Sequence, residues 1–209
     1  MVTDAIRPES PFRNREERDS DRLQKREAVL RAAVRMFNTR GFHATSLDEV
    51  AATLGVSKPT IYHYLGNKDR VLLECVTRGL AELSEAADAA RKLPGTGLDR
   101  LRSFLRQYAR IGMDDFGRCV IRTGDEALQP KSAVRFRALK GEIDKAMRLL
   151  IAEGIADGSI APADVKLVAF ALAGALNWPA RWYKSDGDNS RESVADTMID
   201  FLTMGLKPR

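Results

Sequence analysis

A chain of 209 residues with 44% hydrophobic and 30% charged side chains has the balance of a globular protein, with enough apolar material for one large core or two small ones. No apolar run approaches the roughly 18 residues that span a bilayer, and the N-terminal segment lacks the apolar stretch of a signal peptide. Cys75 and Cys119 stand far apart without metal-ligand spacing, so these features predict a cytoplasmic protein with reduced thiols, no membrane partner, no metal and no cofactor.

Residues 1–20 are polar, carry Pro8 and Pro11, and read as a disordered arm. A helix is predicted from about Arg22 to Thr39, with Leu30, Ala33, Val34 and Phe37 at helical spacing and Gly41 ending it. Between Arg22 and Arg40 six basic residues face Glu27 alone, a stripe able to neutralise phosphates or simply to be solvated. Ser46 and Glu49 form an S-x-x-E capping box opening a short helix with Leu47, Val50, Ala51 and Leu54 on its apolar side. Gly55 permits a sharp turn. Ser57 caps a third helix that tolerates Pro59 in its first turn. Gly66 stops that helix, and Asn67 caps a fourth running to about Lys92.

After the break "LPGTG", Leu101, Phe104, Leu105, Tyr108 and Ile111 form an apolar stripe opposite Arg102, Arg106 and Arg110. A short helix or irregular segment covers 114–129, and a long helix carrying Phe136, Leu139, Ile143, Met147 and Leu150 ends near Gly158. The almost wholly apolar run from Pro162 to Tyr183 predicts a helix buried on several sides, and Ser190 caps a last helix. No segment alternates with period two. The prediction is an all-α protein of about nine helices.

Residues 46–65 supply a glycine turn, inward apolar positions and outward polar or aromatic ones, the requirements of a helix-turn-helix. With the preceding "FNTRGFHAT" and the following "GNKDRVL", residues 24–75 closely resemble the tetracycline-repressor (TetR) family of bacterial regulators. Phe37, Gly41, Phe42, Thr45, Ile61, Tyr62, Tyr64 and Lys68 stand where that pattern places their like; Leu65 departs from it, an aromatic being commoner there. The resemblance implies a DNA-binding domain over 21–68 and a ligand-binding and dimerisation domain over 69–209. It puts Ser57, Lys58, Thr60, Tyr62 and His63 on the recognition helix, and Thr45 and Lys68 against phosphates. Hydroxyl and ammonium donors suit phosphate oxygens, and a Tyr ring can pack on a thymine methyl. His43 and Tyr64 are expected to support the core or backbone.

In "GALNWPARWYKSDG" the only tryptophans, Trp178 and Trp182, lie four apart around Pro179, which should break or kink the helix. They can anchor a core, an interface or a ligand pocket. The segment resembles a subset of TetR-like regulators of fatty-acid, sterol or aromatic-acid breakdown, several of which respond to acyl-CoA thioesters. This implies a small-molecule effector, an acyl-CoA thioester or a hydrophobic or aromatic acid. The expected pocket is lined by Phe104, Tyr108, Met147, Ile151 and Trp178, with Arg110, Arg118, Arg122 and Arg181 as candidates for phosphates. The apolar faces of 163–176 and 191–204 suit a homodimer interface.

The function expected is a dimeric regulator, repressing from a palindromic double-stranded operator until an effector releases it. An enzyme is disfavoured: no phosphate loop, nucleophile elbow or metal cluster is present, and Asp125 and Glu126, being adjacent, diverge by about 100° on a helix. No catalytic residue is assigned. The alternative is a helical interaction protein that does not bind DNA.

Overall fold

The computed structural model describes residues 15–206 and residue 208, with side chains from Asp19 onward. Among these it is all-helical: α1 (Arg15–Arg40), α2 (Leu47–Thr53), α3 (Lys58–Leu65), α4 (Lys68–Arg91), α5 (Gly97–Met113), α6 (Asp115–Arg122), α7 (Pro130–Ala156), α8 (Val165–Asn177), the single turn α9 (Pro179–Trp182) and α10 (Arg191–Met204). A 3-10 turn at Asp125–Ala127 joins α6 to α7. Apart from α9 there are nine α-helices among the described residues, in line with the expected number and class. Most of the expected arm, 1–14, lies outside the described residues. Residues 15–20, however, begin α1 ahead of the expected start near Arg22. Good helix formers such as Arg and Glu extend α1 there without the apolar periodicity that marks a buried helix.

The caps explain where the chain turns. Ser46, Ser57, Asn67, Thr96, Asp164 and Ser190 each accept a backbone N–H in the first turn of the helix they open. Gly41, Gly55 and Gly66 take φ of 89°, 64° and 75°, so the turns that end α1, α2 and α3 need left-handed backbone.

Helices α1, α2 and α3 pack around Leu30, Val34, Phe37, Val50, Ile61 and Leu65. Helix α4 runs from this unit into the remainder, where it packs on α5, α6 and α7, while α8 lies on α7 and α10 on α5. Phe104, Phe116, Phe136, Leu150 and Ile151 are fully buried there, and the whole forms one continuous apolar cluster. The arginine side of α5 is a clamp rather than a solvated face: Arg102 pairs with Asp200, and Arg106 with Asp196, on α10.

One expectation is corrected. The helix of 162–183 is buried on only one side of this chain, for Leu167, Phe170, Trp178 and Trp182 are exposed. An all-round apolar helix needs partners on several sides, and one chain supplies only α5 and α7 as its larger neighbours. Among the described residues no helix is long and apolar enough to cross a membrane.

Candidate nucleic-acid interface and effector cavity

Two short helices and a glycine turn set the first surface. The Ser46 N–H donates to Glu49 Oε2 at 2.7 Å and the Glu49 N–H to Ser46 Oγ at 3.1 Å, which closes the capping box and holds the Glu49 carboxyl below its usual range. Ile61 and Leu65, four apart and buried, fix the rotation of α3. Lys58, Tyr62 and His63 therefore face solvent, Tyr62 being 50% exposed. The Ser57 and Thr60 hydroxyls lie 2.8 Å apart at the start of the helix. Lys58 Nζ donates to Asp48 Oδ2, on α2, at 2.6 Å.

Lys68 opens α4 beside a concavity shared with His43, Ser46, Tyr62 and Asn67. Its ammonium lies 4.3 Å from the centre of the Phe42 ring and donates to the His43 carbonyl at 3.4 Å. Partial burial holds its pKa below that of a free lysine.

Thr45, expected to grip phosphate, is only 2% exposed. Its hydroxyl lies 2.9 Å from the Gly41 carbonyl oxygen and 3.3 Å from that of Met36, so it closes the turn after α1 instead of facing solvent. The basic stripe of α1 is also largely engaged within the chain. Arg26 pairs with Glu74, Arg31 with Glu27, Arg35 with Asp115 and Arg40 with Glu49. Apart from Arg31–Glu27, which lies within α1, these long side chains reach acidic groups on the helices packed beside it, a pairing invisible in the local charge count.

The second site is a partly open cavity of about 360 Å³ between five helices. Leu80 and Leu83 of α4, Tyr108 of α5, Val120 and Ile121 of α6, Ile143 and Met147 of α7, and Phe170, Ala173 and Asn177 of α8 line it. The Tyr108 hydroxyl donates to Asn177 Oδ1 at 3.1 Å, and burial pushes Tyr108 up to about 12, so the phenol stays neutral. Lys140 and Asp144 also reach the cavity, but each is paired, with Asp125 at 2.8 Å and Arg148 at 2.7 Å.

Of the expected pocket residues, Tyr108 and Met147 line this cavity. Phe104 and Ile151 are fully buried in the core instead, and Trp178 is 62% exposed at the surface. The cause is helical phase: Phe170, Ala173 and Asn177 follow i, i+3, i+7 and border the cavity, with the exposed Phe170 at its rim, and Trp178 lies about 100° further round. That spacing was the signal available in the sequence. Arg110, Arg118, Arg122 and Arg181 do not line the cavity; Arg118 instead donates to the carbonyls of Met113 and Tyr183.

Further contacts join the two sites, beside the Arg26–Glu74 and Arg35–Asp115 pairs. The Asn38 amide donates to the Asp115 carbonyl at 2.8 Å, and the guanidinium groups of Arg31 and Arg78 lie over the Phe116 ring, 5.3 and 5.2 Å from its centre. Asp69, in the first turn of α4, accepts the Gln129 N–H at 2.7 Å and the Ser132 hydroxyl at 2.8 Å. It thereby caps α7, which has no side-chain cap of its own.

A capped helix-turn-helix with its second helix facing solvent, joined through one long helix to a cavity-bearing bundle, defines a DNA-binding regulatory protein. Residues 29–75 match the model of the bacterial regulatory proteins of the tetR family, and residues 94–206 that of the tetracyclin repressor-like C-terminal domain. The second match alone spans more than half of the chain, which belongs to the tetR family. It is a helix-turn-helix transcriptional regulator and not an enzyme.

The chain is 26% identical over 187 residues to the HTH-type transcriptional activator FasR of Mycolicibacterium smegmatis, covering 88% of this chain and 84% of FasR. It is similar in structure to the regulator PfmR of Thermus thermophilus, at 29% identity and a TM-score of 0.77, over 86% of this chain and 99% of PfmR. AibR, solved with isovaleryl coenzyme A and operator DNA, shares the fold at 23% identity and a TM-score of 0.75, over 88% of this chain and 99% of AibR.

Proposed function

We propose that the protein represses transcription as a homodimer on a palindromic operator in the cytoplasm and is released by an acyl-CoA thioester or a related hydrophobic acid. Residues 21–68 form the reading unit and 69–209 the effector-binding and dimerising unit. The observation that carries this reading is the lining of the cavity. Helices α4 and α6 both line it, and both also touch the reading unit, α6 through Asp115 and Phe116 and α4 by direct continuation. A ligand that prefers the cavity shape of the non-DNA state shifts the population away from operator binding, whereas equal affinity for both states shifts nothing.

The cavity suits an apolar body with one hydrogen-bonding group near Tyr108 and Asn177. About 360 Å³ lies near the lower end of ligand pockets, so an acyl chain fits inside while the nucleotide of coenzyme A stays outside. Lys140 lines the cavity and is the cation available to such a ligand there, with Arg137 sharing its partner Asp125. AibR, whose structure holds isovaleryl coenzyme A, lends the thioester reading support.

On the DNA side, Tyr62, His63, Ser57, Thr60 and Lys58 read or frame the major groove, and Lys68 binds phosphate. Selecting duplexes from a random pool with the purified protein tests this directly; a pool that stays random overturns it. Tyr62→Ala is expected to cost about 1–3 kcal/mol on the selected duplex and little on a scrambled one. Lys68→Ala should weaken both alike and shallow the salt slope by about one.

For the effector, Ala173→Phe fills the cavity, and thioester-induced release should be lost with DNA affinity retained. Trp178→Ala, at the surface, should retain ligand binding. Fluorescence titration with CoA thioesters and the matching free acids distinguishes the two variants. Unchanged ligand binding in Ala173→Phe would place the effector elsewhere. A promoter fusion that rises on deletion of the gene supports repression, and one that falls indicates activation.

A further inference from the structure

Two lysines stand on the proposed DNA face, and their surroundings differ in kind. Lys68 rests on an aromatic ring and a carbonyl oxygen, groups that stabilise an ammonium without cancelling its charge, and the Glu49 carboxylate acts on it from farther off without pairing with it. It remains able to bind a phosphate. Lys58 is the first residue of α3, and its exposed ammonium is held by the carboxylate of Asp48 at 2.6 Å. A carboxylate at that distance competes with any phosphate for the same ammonium.

Asp48 also places negative charge on a surface that meets a polyanion, which by itself weakens binding to every sequence. A residue with that general effect needs a compensating use. The N-terminal residues of a recognition helix are those that meet base edges, and Lys58 occupies that place in α3. A lysine left alone there is a flexible point charge with four side-chain torsions, and the nearest phosphate is its strongest partner. Held from one side by Asp48, the same ammonium keeps its remaining donors toward the groove floor, where guanine offers O6 and N7.

We infer that Asp48 is a specificity-determining positioning residue, which keeps Lys58 off the phosphate backbone and directs it to a guanine edge of the operator. The inference rests on the proposed reading of DNA by α3. Asp48 acts through Lys58 and contributes chiefly to the difference between right and wrong sequences, lowering affinity for DNA in general.

The test compares the wild type, Asp48→Ala, Asp48→Asn, Lys58→Ala and the Asp48→Ala/Lys58→Ala double variant on the selected duplex and on a scrambled duplex of equal length. Binding is measured across a salt series. With the carboxylate gone, Lys58 moves to a phosphate. Asp48→Ala should then bind scrambled DNA more tightly, steepen the salt slope by about one, and lose about tenfold in discrimination. Asp48→Asn should follow it in direction, and it decides the matter if Asp48→Ala does not fold. The double variant should discriminate no worse than Lys58→Ala.

Discrimination unchanged in Asp48→Ala and Asp48→Asn, while the wild type still prefers its selected duplex, overturns this inference and leaves the reading of DNA by α3 standing. A fall in the double variant well below Lys58→Ala also overturns it, since Asp48 would then touch DNA directly. A wild type that does not discriminate at all removes both.

Discussion

Gly97→Ala is expected to lower the stability of the protein by about 3 kcal/mol, at the upper end of what overpacking a close contact costs. Gly97 opens α5 where that helix crosses α7. A Cβ there would fall on the backbone of Gly154, well inside contact distance, and 2.8 Å from the Glu153 carbonyl carbon. Both obstructions are main chain, so no side chain can rotate away and the helices must part. Parting them also strains the trans capping of α5. The Gly97 N–H donates to Asp157 Oδ2 at 2.6 Å, and the Leu98 N–H to Ser159 Oγ at 3.0 Å.

At about 2–4 °C per kcal/mol for a chain of this size, the thermal midpoint should fall by about 6–12 °C. Gly141→Ala provides the contrast, for Gly141 lies within α7 and a Cβ there would meet nothing within 4 Å. That change should stabilise by about 0.5–1 kcal/mol, through the helix propensity gained. Calorimetry on the two variants checks both signs. Equal midpoints would mean that the α5–α7 crossing yields without cost.

The difference between these two glycines marks what could be read from the sequence. Local chemistry was legible: the Ser46–Glu49 box, the caps at Ser57, Asn67 and Ser190, and the glycine stops at Gly41, Gly55 and Gly66 all depend on neighbours within a few residues. So was the outward face of α3, because Ile61 and Leu65 fix its rotation. What a face meets was not legible. Thr45 looked like a surface hydroxyl and turned inward to the end of α1, and the α1 arginines found acids on α4 and α6 as well as nearby. Trp178 missed the cavity by one residue of helical phase, and Asn177, which reaches it, is an ordinary amide in the sequence. Lys140 and Asp144 became cavity residues only through the way α7 lies against α8.

The double variant Gly174→Glu/Phe201→Glu is expected to separate the proposed dimer into folded monomers and to weaken operator binding by about 10²–10⁴-fold. Leu167, Ala171, Gly174 and the C-cap Trp178 follow i, i+4, i+7, i+11 along α8 and its end, and all are exposed in the single chain. On α10, Phe201 and Met204 are exposed as well. So much large apolar surface on two helices calls for a partner, and a second copy meeting it across a two-fold axis covers both stripes at once. Gly174 is informative because a Cβ there would meet nothing within 4 Å inside the chain. Its small size is therefore not required by the fold of one subunit, but it lets another helix approach closely. A Glu at 174 or 201 stays solvated in the monomer and is buried without a partner in the dimer, twice over by symmetry. Sedimentation should then report one subunit with its helical content kept, bound to a half-site but no longer holding the full operator tightly. A double variant that remains a dimer, or a monomer that binds the full operator as tightly as the wild type, would remove this face from the assembly or dimerisation from the mechanism.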